Sequence, residues 1–186
     1  MLFCLHFSGY LCFLNKKTMK QDTIKHAMYY GLLLGVVFVL NFFLSQAINI
    51  WLKFVQMLYT FSIPFVVFYF AKKCREEVCG GSMSYVQSFS YVVQLFFYAS
   101  IISSAFKYVY FRFLNPDFLK NLFNQTMQLM KQMSVPITDE MIAVTKQMLT
   151  PMGMAMQYIW INVMVGIIVA IVLAFFIRKE KSIFEN

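Results

Sequence analysis

The residues of this chain that could do chemistry are few, and each has a plainer use. Cys74 and Cys79 stand as C-x4-C, and paired thiols can hold a soft metal. Such a site needs further ligands at short spacing, and only Glu76 and Glu77 lie near. Two reduced thiols is the favoured reading. Nine of the 14 Met fall between 127 and 164, with Met127, Met130 and Met133 spaced by three and Met152, Met154 and Met156 alternating. Thioethers could bind Cu(I), but no Cys or His stands among them, and Met commonly fills apolar helix faces. His26 and His6 lack metal-like spacing to a partner. Lys107 is a lone base at the end of an apolar run, where snorkelling to the interface is expected. Gln94 and Asn162 lie inside apolar runs and are expected to bond across helices. There is no Ser-His-Asp pairing, phosphate loop or H-E-x-x-H. The expectation is therefore no catalytic, cofactor-binding or metal-binding residue, and no cofactor.

The elements that must position these residues follow from composition. The chain has 186 residues, 60% of them hydrophobic, with 22 Phe. Only 13% are charged, where a soluble domain has about 25%. Four windows carry no Asp, Glu, Lys or Arg: His26–Leu52, Phe54–Ala71, Val78–Phe106 and Gln147–Ile177. A helix needs about 20 mostly apolar residues to cross a bilayer core about 30 Å thick. The windows are apolar on all sides rather than alternating, which excludes barrel strands, and helices satisfy their own backbone where there is no water. Spans are expected over 28–46, 54–71, 84–113 and 154–177. Pro64 is expected to kink the second and free the Thr60 carbonyl.

Between spans 3 and 4, Asn115-Pro116-Asp117 reads as a cap, a proline in the first turn and an acid. Leu119, Leu122, Thr126, Leu129 and Met133 then recur at three and four, opposite Lys120, Asn124, Gln128 and Lys131. An amphipathic helix is expected over 117–133. Ser134-Val-Pro-Ile137 breaks it, and a second helix is expected over 138–149. The fold class is an all-α integral membrane protein: four transmembrane helices, with an external amphipathic helical pair between helices 3 and 4. Residues 19–182 form a single four-span membrane domain, and 183–186 a cytoplasmic tail. Residues 1–18 read as a doubtful leader, with Met19 the expected true start. A native peptide covering Phe7–Phe13 would exclude that start.

Net charge is +8. The bases cluster at span ends, with no basic face interleaved with stacking aromatics, so the expected partner is the lipid bilayer and not nucleic acid. With the amino terminus inside, ten bases fall on the inner side, in short segments, and six outside, three of them spread over the long loop. Counted from Met19 the margin is eight against six. Both termini are expected in the cytoplasm. Small residues at four-residue spacing, Gly31/Gly35, Ala99/Ser103, Ser100/Ser104 and Gly166/Ala170/Ala174, fit close packing within one four-helix bundle, with a homo-oligomer contact as the alternative.

Read in order, Met19-Lys-Gln-x-x-Ile-Lys25, Gly80-Gly81, Ser82-Met-Ser-Tyr-Val-Gln-Ser-Phe89, Asn115-Pro-Asp-Phe118 and Pro151-Met-x-Met resemble small bacterial membrane proteins grouped as domain-of-unknown-function family 4199. The resemblance covers about 19–182. It implies four transmembrane helices in a bacterial inner membrane and no assigned activity, and it carries no functional residue over. The Met density exceeds the family pattern, and 1–18 lies outside it.

No Asp or Glu falls inside a span, which argues against a proton-coupled exporter. The expected function is non-enzymatic: binding of a lipid, a small apolar ligand or a membrane partner protein through the external helices. The alternative is an oligomeric small transporter or channel subunit, which would need a polar path, and only Asn41, Gln94 and Asn162 offer one. An enzyme has no supporting constellation.

Overall fold

The structure is a computed structural model and describes residues 2–46, 49–134 and 136–179, with side chains from residue 19 onward. The tail expected at 183–186 lies outside the described residues. Among the described residues six α-helices run in chain order: α1 (Leu2–Ser45), α2 (Ile50–Glu77), α3 (Tyr85–Val109), α4 (Pro116–Gln132), α5 (Asp139–Met148) and α6 (Pro151–Ile177). A π-helical segment, Tyr110–Leu114, extends α3. Four stretches are long and apolar enough to cross a membrane: Met19–Ser45, Ile50–Glu77, Tyr85–Leu114 and Pro151–Ile177. The chain is an all-α membrane protein. Its helices outrun the expected spans, because helices continue into headgroup-level segments where polar residues are tolerated.

Helix starts are set by side-chain caps. Asn49, Asn115, Thr138 and Thr150 each accept a backbone N–H of the following turn, and Pro116 and Pro151 take the first-turn position. Ser84 and Gln87 form a reciprocal capping box on α3. Between α2 and α3, Gly80 and Gly81 take positive φ (62° and 80°), which a glycine does without a Cβ clash. Met83 and Lys179 exchange backbone hydrogen bonds of 2.9 Å, tying this turn to the end of α6. Arg75 donates to the Ile177 carbonyl at 2.8 Å, satisfying an acceptor that the end of α6 would otherwise leave open.

Helix α3 is central, packed along α1 on one side and α6 on the other, with α2 leaning on α1. Tyr91, Val92, Leu95, Phe96 and Ala99 of α3 are buried with Leu34, Val67 and Ala170 in the main core. The small residues act inside the bundle. A Cβ at Gly31 would lie 2.6 Å from Tyr98 Cβ, and Ala99, Ser100, Ser103, Ala170 and Ala174 are fully buried. Gly31→Val is therefore expected to cost about 1–3 kcal/mol by overpacking. A denaturant titration in mixed micelles checks this, and an unchanged midpoint would place that face away from α3.

A second core sits at the end of the bundle that bears the long loop. It joins Phe42 of α1, Phe111, Leu119 of α4 and Met154 of α6, with Phe118, Leu122, Leu149 and Tyr158 packed around them. Helix α4 thus docks over the bundle, while α5 buries no residue. Leu129, Met133, Val144 and Met148 remain exposed. Pro64 does not interrupt α2, which is one continuous helix in this structure.

Candidate functional site

Every buried residue of α2 lies at its midpoint or beyond: Ile63, Val67, Ala71 and Cys74. Before that, Ile50, Trp51, Phe54 and Phe61 are exposed. The first half therefore stands off α3 and α6, and a cavity of about 390 Å³ opens between the four long helices on the loop side. Pro64, which removes a backbone donor, lies on its wall. Phe38 and Phe96, with ring centroids 5.6 Å apart, lie at its deep end, and Ile63, Val165 and Val169 add apolar wall.

Into this apolar space come a few polar groups. Lys107 is only 6% exposed. Its Nζ lies 3.7 Å from the ring centroid of Tyr158 and 5.4 Å from that of Phe42. No carboxylate pairs with it among the described residues; the ion pairs lie elsewhere, as in Asp117–Lys120 and Lys73–Glu77. The two aromatic faces supply what compensation it has. Asn162 Nδ2 is buried with no hydrogen-bond partner among the described residues. Across the cavity, Thr60 Oγ1 lies 3.2 Å from Asn41 Oδ1 and 2.9 Å from the Gln56 carbonyl, and Gln56 Nε2 donates to Asn41 Oδ1 at 3.5 Å.

Two readings of single residues change here. Lys107 does not snorkel. The π-helical segment turns Phe111 inward, α4 docks over it, and Phe42 and Tyr158 close around the ammonium. Asn162 makes no cross-helix bond, because α2 stands away at its level. A lone base near a span end was visible in the sequence. Its burial was not, since it depends on rings brought to it by α1 and α6.

The opposite end of the bundle holds a smaller cavity, about 290 Å³, lined by Thr23, Cys79, Ser90, Tyr91 and Gln94 among apolar neighbours. Gln94 Nε2 donates to Ser90 Oγ at 3.3 Å, within α3 rather than across helices. His26 Nδ1 is 2.8 Å from the Tyr91 hydroxyl, and its ring stacks on Tyr30 at 4.2 Å. Leu34, Val67, Val92 and Leu95, all fully buried, lie between the two cavities along the helices. Cys74 and Cys79 are free thiols, and no group of three His, Cys, Asp or Glu side chains is placed to hold a metal among the described residues. Met154 is in the loop-side core, while Met133, Met148, Met152 and Met156 face outward.

The hydrogen bond from the Cys74 thiol, helped by the Thr23 hydroxyl 4.0 Å away, outweighs burial and holds the Cys79 thiol down to about 7. The thiolate is the nucleophile. Alkylation of Cys79 by a small neutral reagent is expected to rise through about pH 7. In Cys74→Ala the rise should shift toward the ordinary thiol range, about 8.5. Peptide mass spectrometry across a pH series measures both, and coincident profiles would remove the Cys74 bond as the cause.

No curated protein and no solved structure matches this chain. The model of a family described as a protein of unknown function, DUF4199, matches residues 25–179, well over half the length. Those residues run from the start of the first apolar window to the end of α6, and the chain belongs to the DUF4199 family.

Proposed function

We infer that this protein is a non-enzymatic component of a bacterial inner membrane that binds a lipid or a small apolar ligand beneath its external helices. The observation that carries the reading is the 390 Å³ cavity, mostly apolar with a few polar groups, reached from the side of the bundle where α2 stands off. Helix α4 is anchored beside it through Leu119 and Phe111. The exposed Leu129, Met133, Val144 and Met148 give the helical pair an apolar surface suited to the headgroup boundary. Both termini lie in the cytoplasm in this reading, since Lys72, Lys73, Arg75, Arg178 and Lys179 gather at the end opposite the loop.

The test is binding of a neutral alkyl alcohol, dodecanol, to the protein in phosphatidylcholine nanodiscs, with empty discs as background. Saturable binding is expected, and Val169→Trp, which fills the cavity wall, should abolish it. Non-saturable uptake equal to that of empty discs would reject the reading. Topology is checked separately. A reporter active only outside should work when fused near Gln125 and be silent near Ser182, and the reverse pattern would invert the orientation.

The rival reading, an oligomeric transporter or channel subunit, draws support from the presence of cavities at both ends of the bundle. The apolar layer between them weighs against a continuous hydrated path. Ion or solute flux in proteoliposomes above protein-free vesicles would favour it.

A further inference from the structure

We propose that the cavity is a receptor for a single-chain amphiphile with a monoanionic carboxylate head, a fatty-acid-like molecule whose head lies on Lys107 and Asn162. The proposal rests on the ligand-binding reading above and names the ligand class. A cation buried within a membrane domain is costly and is retained where it meets a partner charge or a substrate. Lys107 is 6% exposed and has aromatic faces, not a carboxylate, around it. An ammonium is a donor of three hydrogen bonds and accepts none, and ring faces satisfy its charge without accepting those bonds in the ordinary way. The ligand must therefore bring acceptor oxygens and negative charge.

A second group points the same way. Asn162 Nδ2 is a buried donor with no hydrogen-bond partner among the described residues, on the wall of the same cavity. An ammonium without a carboxylate partner and an amide donor on the wall of one cavity match two carboxylate oxygens. A single lysine balances one negative charge, so a dianionic phosphomonoester would leave one uncompensated in a low-dielectric site. The space beyond the head is apolar, with Phe38, Phe96, Ile63 and Val169 on its walls. At roughly 30 Å³ per non-hydrogen atom, taking the share of a water as the yardstick, the cavity holds about a dozen such atoms. Longer chains would leave through the side cleft into the bilayer. A free small anion would waste this wall, and a neutral lipid would leave the lysine unpaired.

The experiment compares dodecanoate, dodecanol, dodecyl phosphate and acetate for binding to the protein in phosphatidylcholine nanodiscs. It is run at about pH 7, where an ordinary carboxylic acid is ionised and an ordinary lysine charged. Dodecanoate should bind more tightly than dodecanol and dodecyl phosphate, and acetate should not compete. Lys107→Gln should lower the dodecanoate-over-dodecanol preference by about tenfold or more. A thermal melt of the variant in the same discs, followed by circular dichroism, reports separately that it is folded. Lys107→Arg should keep the preference. A preference that survives in Lys107→Gln overturns the proposal while leaving the ligand-binding reading intact. So does tighter binding of the phosphate, or competition by acetate. Failure of the wild type to bind dodecanol and dodecanoate alike rejects both.

Discussion

Phe111→Ala is expected to cost about 3–5 kcal/mol, the range for truncating a buried aromatic. Phe111 is fully buried at the centre of the loop-side core. Its ring meets Phe42 edge-on at 5.8 Å and stacks with Phe118 at 5.4 Å and Tyr158 at 6.5 Å. It thereby joins α1, α4 and α6 to the π-helical segment that carries it. The loss should fall on the docking of α4 rather than on insertion of the spans, because the main core around Leu95 and Phe96 does not include this ring. Single cysteines in intact membranes report it. In the parent, Asn124→Cys and Gln128→Cys should react readily with a water-soluble thiol reagent, since Asn124 and Gln128 are exposed. Leu122→Cys, half-buried against the bundle, should be protected. In the Phe111→Ala background Leu122→Cys should become as reactive as Gln128→Cys. Continued protection of position 122 would show that α4 is held by something other than this ring.

Lys107→Met is expected to stabilise the apo protein, because a buried charge without a carboxylate partner is desolvated at a cost that an apolar side chain of similar volume does not carry; even for paired buried charges such replacement is often stabilising, by about 1–4 kcal/mol. Met matches the length and flexibility of the lysine stem, so it fills the site between Phe42 and Tyr158. The same variant should lose the carboxylate preference. Stability gained with binding lost is the signature of a residue kept for function. The measurement is the thermal midpoint of both proteins in the same micelle, without added fatty acid. A large drop in the midpoint would mean that Lys107 is a structural cation, held by its two aromatic faces, and would remove the reason for seeking an anionic ligand.

Much of the architecture was legible because it depends on local rules. Charge-free windows fixed the number and order of the spans, since a charge in the bilayer core is costly wherever it faces. Asn115-Pro116 and Thr150-Pro151 marked helix starts, because caps act within one turn. The stripe Leu119, Leu122, Thr126, Leu129 and Met133 marked α4 as amphipathic; its first turns dock through Leu119 and Leu122, while Leu129 and Met133 stay exposed. The glycine pairs signalled close packing, and Gly31 does meet α3.

The site was not legible, for a physical reason. The spans are apolar on every side, because lipid tails and a packed core ask for the same residues. Periodicity therefore cannot say which face of a span meets another helix. That α3 is central, that α2 buries no residue before Ile63 although it still bonds to Asn41 of α1, and that a cavity results are properties of helix pairing. The same holds for single side chains. Lys107 is covered by the rings of Phe42 and Tyr158, from α1 and α6. Arg75 satisfies the Ile177 carbonyl across the whole sequence. Cys79 meets Thr23 only because α1 passes beside the Gly80-Gly81 turn. Local chemistry along the chain decided which segments cross the membrane and where each helix begins; the packing of one helix against another decided which of their polar residues face a common space.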